Sequence, residues 1–279
     1  MEYVSDYRHD KELCEKFFEL ANEAFGLDLA GWAARGGWEE GYVCHTLMDG
    51  ERMVANVSTT GMTLIIDGHA QRAFQIGTVY TRPEYRGRGC ARELLERVIA
   101  EANGCGMFLF ANPTARGLYE KLGFVPAPGE ILPRARLTEA SALPYALRHA
   151  GVDELRALAA RNRVYSHKFD VSTRACLAEL YLHDEYSEAL YVCDEADVGM
   201  VLEREGDVMH VCALYGERAC DSKRLMAALA GSGARVAEFD FMPDGWGIDC
   251  TELAQGPDDT FVMNMTFPRD IAYPGLMRA

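Results

Sequence analysis

No stretch of this sequence approaches the roughly 20 apolar residues that a membrane-crossing helix requires. Its opening, Met1-Glu2-Tyr3-Val4-Ser5-Asp6, lacks the basic start and apolar core of a secretory signal. Together these absences predict a cytoplasmic protein with no membrane partner. The nine cysteines are odd in number, scattered, and contain no Cys-x-x-Cys pair, so neither a disulfide framework nor a zinc cluster is expected. The seven histidines show neither HxxxH nor HExxH spacing, which leaves no metal site to predict. Positive charge is also short, with 28 Lys and Arg against 43 Asp and Glu and a net charge of −15. Such a field repels nucleic acid and anionic lipid.

What is present is ordinary globular material, 49% hydrophobic and 25% charged over 279 residues, enough for one large domain or two small ones. The acidity is uneven: residues 1–150 carry 20 acids against 16 bases, and residues 151–279 carry 23 against 12. That imbalance serves solubility and favours a cationic partner.

Asp10 is a suitable N-cap for a helix through Phe25, since Leu13, Phe17, Leu20, Ala21 and Ala24 share one face. The segment Asp28 to Tyr42, broken by Gly36-Gly37, predicts a short helix and a loop whose aromatics (Trp32, Trp38, Tyr42) face solvent or a ligand. Asp49-Gly50 and Asp67-Gly68 mark two hairpins of an antiparallel meander, with strands at Arg52 to Ser58, Thr63 to Ile66 and Phe74 to Thr81. An amphipathic helix to about Ala102 follows, then a strand Met107 to Ala111, a helix opened by Pro113 and closed by Gly123, and a strand from Phe124. A proline-containing stretch, Pro126 to Pro144, reads as a connection. The second half predicts a helix Val152 to Asn162, strands at Ala189 to Cys193, Val198 to Arg204 and Val208 to Tyr215, a helix Lys223 to Ala230 and a strand Arg235 to Phe241. This loosely repeats the order of the first half, without a glycine-rich, arginine-bearing turn before its helix.

The segment that points to chemistry is Arg86-Gly87-Arg88-Gly89-Cys90-Ala91, between a strand and a helix. Glycines there allow a tight turn with inward-facing N–H groups, and the helix N-terminus adds partial positive charge, so the turn suits a pyrophosphate. Arg86 and Arg88 can add phosphate contacts. Glycine-rich turns also occur with no ligand at all.

In wording the segment resembles the Q/R-x-x-G-x-G/A acetyl-CoA signature of the GNAT superfamily of N-acetyltransferases, with Arg86, Gly89 and Ala91 at its defining places. Asn112, Ala115 and the run Tyr119-Glu120-Lys121-Leu122-Gly123-Phe124 resemble that family's second CoA-side motif. The resemblance covers roughly residues 1–130, and the C-terminal half is more weakly similar to the degenerate second unit of two-domain members. It implies an α+β fold, a GNAT-type mixed sheet flanked by helices and followed by a second, smaller GNAT-like domain. The implied division is a catalytic domain at 1–130, a linker at 131–150 and the degenerate domain at 151–279.

The resemblance further implies that backbone groups of Val79, Tyr80 and Thr81 pair with the pantetheine arm as an added strand. Residues 86–91 (Arg86, Gly87, Arg88, Gly89, Cys90 and Ala91) would hold the pyrophosphate, with the Cys90 side chain crowding the turn, and Asn112 would bond the cofactor arm. Tyr119 would protonate the departing CoA thiolate, since a phenol stays protonated at neutral pH; otherwise it is a packed helix tyrosine. Glu39 and Glu40 are the candidates for a base on the acceptor amine, or else a solvated loop. Gln75 and His69 are weaker candidates. The expectation is direct transfer of acetyl from acetyl-CoA to a primary amine, with no acyl-cysteine. The alternative is an inactive acyl-CoA-binding or scaffold protein. The C-terminal unit is expected to be structural, to recruit a basic acceptor, or to form a homodimer contact.

Overall fold

The computed structural model describes residues 1–138, 143–161, 164–172 and 176–278. Strand β1 (Glu2–Ser5) leads to helix α1 (Lys11–Phe25), whose first amides, those of Glu12 and Leu13, donate to the Asp10 carboxylate. Gly26 ends the helix in the left-handed conformation. After α2 (Leu29–Ala34), the meander β2 (Tyr42–Asp49), β3 (Arg52–Ile66) and β4 (His69–Thr81) turns at Asp-Gly pairs, with Asp67 at φ 49 and Gly68 at φ 77. The two short strands read from Arg52 to Ile66 are one continuous strand.

The chain continues through α3 (Cys90–Glu101), β5 (Gly106–Phe110), α4 (Arg116–Lys121) and β6 (Val125–Pro126). Helix α4 begins three residues beyond Pro113, because Asn112 holds the intervening turn: its Oδ1 accepts from the Thr114 amide (3.1 Å) and hydroxyl (2.8 Å). Next come β7 (Ile131–Arg136), β8 (Arg148–His149), α5 (Val152–Arg161), β9 (Phe169–Val171) and α6 (Cys176–His183). Asn162, read as the end of the α5 helix, lies outside the described residues, as does the middle of the 126–144 stretch. The chain closes with β10 (Leu190–Cys193), β11 (Val198–Glu205), β12 (Val208–Tyr215), α7 (Ser222–Ala230), β13 (Val236–Phe239), β14 (Glu252–Gln255) and β15 (Thr260–Met263). Among the described residues no helix is long and apolar enough to cross a membrane.

Two mixed sheets result, and they trade strands. The first runs β1-β2-β3-β4-β5-β15-β6, with β9 on the far half of β3; the second runs β14-β7-β13-β12-β11-β10-β8. Thus β7 leaves the first half of the sequence to lie between β13 and β14, and β15 returns from the C-terminal end to lie between β5 and β6. Each sheet hides one row of edge groups with a strand from the other half of the chain. α3 covers one face of the first sheet through Leu94, Leu95 and Val98. On the other face α1, α2 and the C-terminal Phe267 and Tyr273 complete the core.

The junction is tied by Glu130. This buried carboxylate accepts from the Thr260 hydroxyl (3.0 Å), the Tyr273 amide (3.0 Å) and Arg278 Nη2 (2.6 Å). The Arg278 guanidinium also stacks 4.0 Å from the Phe110 ring centroid. A buried carboxylate with all these partners is held in place, whereas removal of one would leave charge unpaired. Since β15 completes the first sheet, Phe261→Ala is expected to cost about 3–5 kcal/mol, with both units lost in a single transition. Urea unfolding followed by both tryptophan fluorescence and far-UV circular dichroism checks this; two separated transitions would contradict it.

Candidate active site

The site begins with a defect in a strand. β3 and β4 pair regularly to Ser58↔Gly77, then resume at Asn56↔Tyr80, so Thr78 and Val79 together face Val57 in a bulge. Thr78 adopts φ 48, a left-handed conformation that a β-branched residue enters only when its surroundings hold it there. Its carbonyl accepts from Asn56 Nδ2 (3.0 Å), and its hydroxyl bonds that of Tyr42 (2.9 Å). Asn56 is fully buried, and its remaining polar groups meet Ser58 and Thr46, the latter joined to Tyr7. The bulge therefore rests on a closed polar network beneath it.

The bulge directs β4 away from its parallel partner. β4 and β5 are paired from Ala73↔Gly106 to Ile76↔Leu109 and no further. Beyond that point Val79, Tyr80 and Thr81 present one edge to β3 and turn the other to a wedge between β4 and β5, where the Thr81 carbonyl accepts from Arg86 Nε (3.1 Å). Asn112 lies just past the end of β5, exposed, with Oδ1 taken by Thr114. β5 keeps β15 on its opposite edge.

The glycine turn closes the outer end. Gly87 (φ 75) and Gly89 (φ 84) both need the left-handed region, and a Cβ at either would meet nothing within 4 Å, so the turn faces open space. Gly89 caps α3 without any side-chain bond to its first amides. Arg86 and Arg88 are exposed and, among the described residues, unpaired with any carboxylate; each lies over a ring, Tyr80 at 5.8 Å and Tyr85 at 4.9 Å. Two cations without a carboxylate partner among the described residues and an uncapped helix N-terminus give this turn a local positive potential on an acidic chain. Cys90 does not crowd it. Its side chain turns inward, 2% exposed, towards the Tyr85 carbonyl and Met1, so only its backbone reaches the turn.

Tyr119 packs at the inner side, 6.1 Å from Phe124 and 6.4 Å from Phe261 by ring centroids, and in the same cluster as Ala111 and Val79. Burial pushes its phenol up to about 12, so it is protonated at neutral pH. No hydrogen bond engages its hydroxyl among the described residues.

Other expected site residues lie apart. Trp32, Trp38 and Tyr42, expected to face solvent or a ligand, instead pack on one another and on Phe17; Trp32 and Tyr42 meet edge-on at 5.2 Å. Glu40 is exposed, while Glu39 borders a cavity of about 520 Å3 between the two units, whose wall includes no residue of β4. Gln75 is fully buried and His69 is exposed at the far end of β4. Sequence reasoning missed Asn56, Arg82 and Glu23. Arg82 is buried, donates to the Met53 carbonyl (2.8 Å) and pairs with Glu23 of α1, which also accepts from the Tyr80 hydroxyl (3.3 Å). These bonds clamp α1 to the end of β4. A buried Asn or Arg has no local sequence mark; only an alternating apolar strand interrupted by Asn56 hinted at it.

Residues 42–126 match the family model described as acetyltransferase (GNAT) domain. That stretch of the first unit is thus similar to a GNAT domain. Solved structures share the architecture over 94% of this chain. One is a probable N-acyltransferase from Enterococcus faecalis V583 (12% identity, TM-score 0.61, 71% of that chain covered). A second is Eis1 from Mycobacterium abscessus (14%, 0.58, 73% of that chain). A third is a GCN5-related N-acetyltransferase from Kribbella flavida (18%, 0.55, 71% of that chain). At these identities the likeness is one of fold. A comparison with curated proteins finds no match. Over both sheets the likeness is to the fold of these structures, two GNAT-like units in succession.

In the first unit, Asn56→Ala is expected to destabilise by about 1–3 kcal/mol, because Thr78 and Ser58 lose buried partners. The same change should weaken cofactor binding more than a surface substitution of equal stability cost. Thermal melts and cofactor titrations on the two variants separate these effects.

Proposed function

We propose that this chain transfers an acetyl group from acetyl-CoA directly to a primary amine. The observation that carries the reading is the wedge after Ile76, which ends at an open glycine turn with two arginines that meet no carboxylate among the described residues and an uncapped helix N-terminus. A pantetheine arm fits beside the free edge of Val79 to Thr81 as an additional strand, and its pyrophosphate falls at residues 86–91. Asn112, with Nδ2 still available, bonds the arm from the β5 side. A backbone N–H of β4 polarises the thioester carbonyl.

The acceptor nitrogen then attacks that carbon, forming the C–N bond while the C–S bond breaks. The amine gives up one proton and the leaving thiolate gains one, which Tyr119 supplies as a buried phenol still protonated at neutral pH. Glu39 borders a cavity that no residue of β4 reaches and Glu40 is exposed, so the amine's proton passes to water, and solvent restores the proton of Tyr119. An acyl-cysteine route is disfavoured by burial, which pushes the thiols of Cys44 to about 12 and of Cys193 and Cys250 to about 11, leaving them un-ionised. A cationic acceptor suits the acidic surface. The tight packing and unbonded hydroxyl of Tyr119 favour the second reading, a module that binds acyl-CoA without turning it over.

Calorimetric titration with acetyl-CoA is expected to show micromolar binding, abolished when Arg86→Glu and Gly89→Glu are combined in one folded variant. Absence of binding by the folded wild-type chain would end the enzyme reading. Tyr119→Phe should leave CoA affinity within about twofold and lower kcat by about 100-fold or more; unchanged turnover would remove Tyr119 from the chemistry.

A further inference from the structure

The second unit opens a wedge of its own. β12, α7 and β13 succeed one another as β4, α3 and β5 do, and β12 and β13 are likewise parallel for four pairs, Val208↔Val236 to Val211↔Phe239. One further bond, Asp240 N–H to the Val211 carbonyl at 3.2 Å, ends the pairing. Past it, residues 212–215 keep β11 on one edge, while on the other they and Phe241 and Met242 border the cavity of about 520 Å3. That volume is within the range of small-molecule sites.

This wedge is not a second phosphate site. The first amides of α7, those of Lys223 and Arg224, are directed at the Asp221 carboxylate (3.0 and 3.5 Å), where α3 leaves its own free. The turn before α7 reads Gly216-Glu217-Arg218, an acid between one glycine and one arginine, where residues 86–89 alternate arginine and glycine. The cavity wall has the opposite character. Asp170 accepts from the amides of Ser166 and Val171, both at 2.7 Å, yet among the described residues no Lys, Arg or His lies within 4 Å of it. Arg156, the basic residue on the wall, is already paired with the buried Glu179 at 3.1 Å. Glu39 adds a third carboxylate, and Tyr165, Phe241 and Trp246 add aromatic surface.

We propose that the wedge between β12 and β13 is a second ligand site, which takes an organic ammonium ion carrying an aromatic or aliphatic body. Asp170 supplies the counter-charge, the aromatic wall supplies cation–π and apolar contact, and the free edge of β12 can accept N–H donors. Burial raises the Asp170 carboxyl from 3.8 to about 6, with the Asp244 charge adding to the effect, so at neutral pH the group is ionised, held by two amides but with no cation beside it among the described residues. Its folding linkage has a definite sign. Between pH 3.8 and about 6 the folded chain keeps a proton that the unfolded chain has released, so this group's contribution falls as pH rises through that window. The melting-temperature difference, Asp170→Asn minus wild type, should therefore grow from pH 4 to pH 7; a flat difference would contradict the assignment of an uncompensated carboxylate.

The site does not depend on acyl transfer, and its test is separable from that of the cofactor. The full chain is titrated calorimetrically at pH 7.5 with phenethylamine, tryptamine and benzyltrimethylammonium, with 3-phenylpropionate as an anion of similar size. The quaternary ion cannot accept an acyl group, so it reports the site alone. Expected are saturable binding of the cations, none of the anion, a loss of tenfold or more in Asp170→Asn, and a similar loss in Ala159→Phe, which fills the cavity without altering charge. Affinity should be unchanged in Gly89→Glu. The proposal is overturned if the folded chain binds none of the three cations, if both cavity variants bind as wild type does, or if Gly89→Glu abolishes binding.

Discussion

The parting of β4 from β5 after Ile76 is the constraint on which the rest of the site depends. Parallel strands that stayed paired would bond all their edge groups to each other and leave none for a ligand. Here a left-handed Thr78, held by Asn56 and Tyr42 from below, turns β4 aside while the sheet beneath it remains intact. The free edge of Val79 to Thr81, the open turn and the end of α3 are then aligned in succession along one strand. Arg82 fixes the last of these alignments by joining the strand end to α1 through Glu23.

Opening a sheet in this way risks exposing β5, and the chain answers by strand exchange. β15 pairs with β5 on the edge away from the wedge, and β6 closes the row. Because β15 is separated from β5 by the whole second unit, neither half of the sequence completes its sheet alone. The cost is a polar junction at depth, met by Glu130, which is bonded by Thr260, Tyr273 and Arg278. Phe267 and Tyr273 then pack under Phe108 and Phe169, which joins three distant segments in one aromatic cluster.

The two wedges differ in what they can attract. In the first, glycines leave a helix N-terminus free beside arginines that meet no carboxylate among the described residues; in the second, Asp221 occupies the corresponding amides and Asp170 borders a cavity with no cation within 4 Å among the described residues. A shared backbone architecture therefore presents opposite charge at its two openings, as expected when a site's chemistry is set by side chains placed on a common fold.

Local rules, read along the sequence, were enough for much of this. Asp10 marked the start of α1, the Asp-Gly pairs marked both hairpin turns, and the Arg86 to Ala91 turn announced itself because glycine conformation and helix polarity are properties of neighbouring residues. The same rules led to the absence of a phosphate turn before α7. They could not foresee β15 between β5 and β6, β7 in the second sheet, β9 or α6, since pairing between distant strands leaves no short-range period. Nor could they tell that Trp32 and Tyr42 are core, that Cys90 points inward, or that Glu39 faces a cavity. Side-chain direction at loops follows from what packs against them. The turn that can hold an anion was thus determined by the sequence itself, whereas the wedge beside it, the bulge that opens it and the second cavity were decided only by tertiary structure, because each is a relation between strands far apart in the chain.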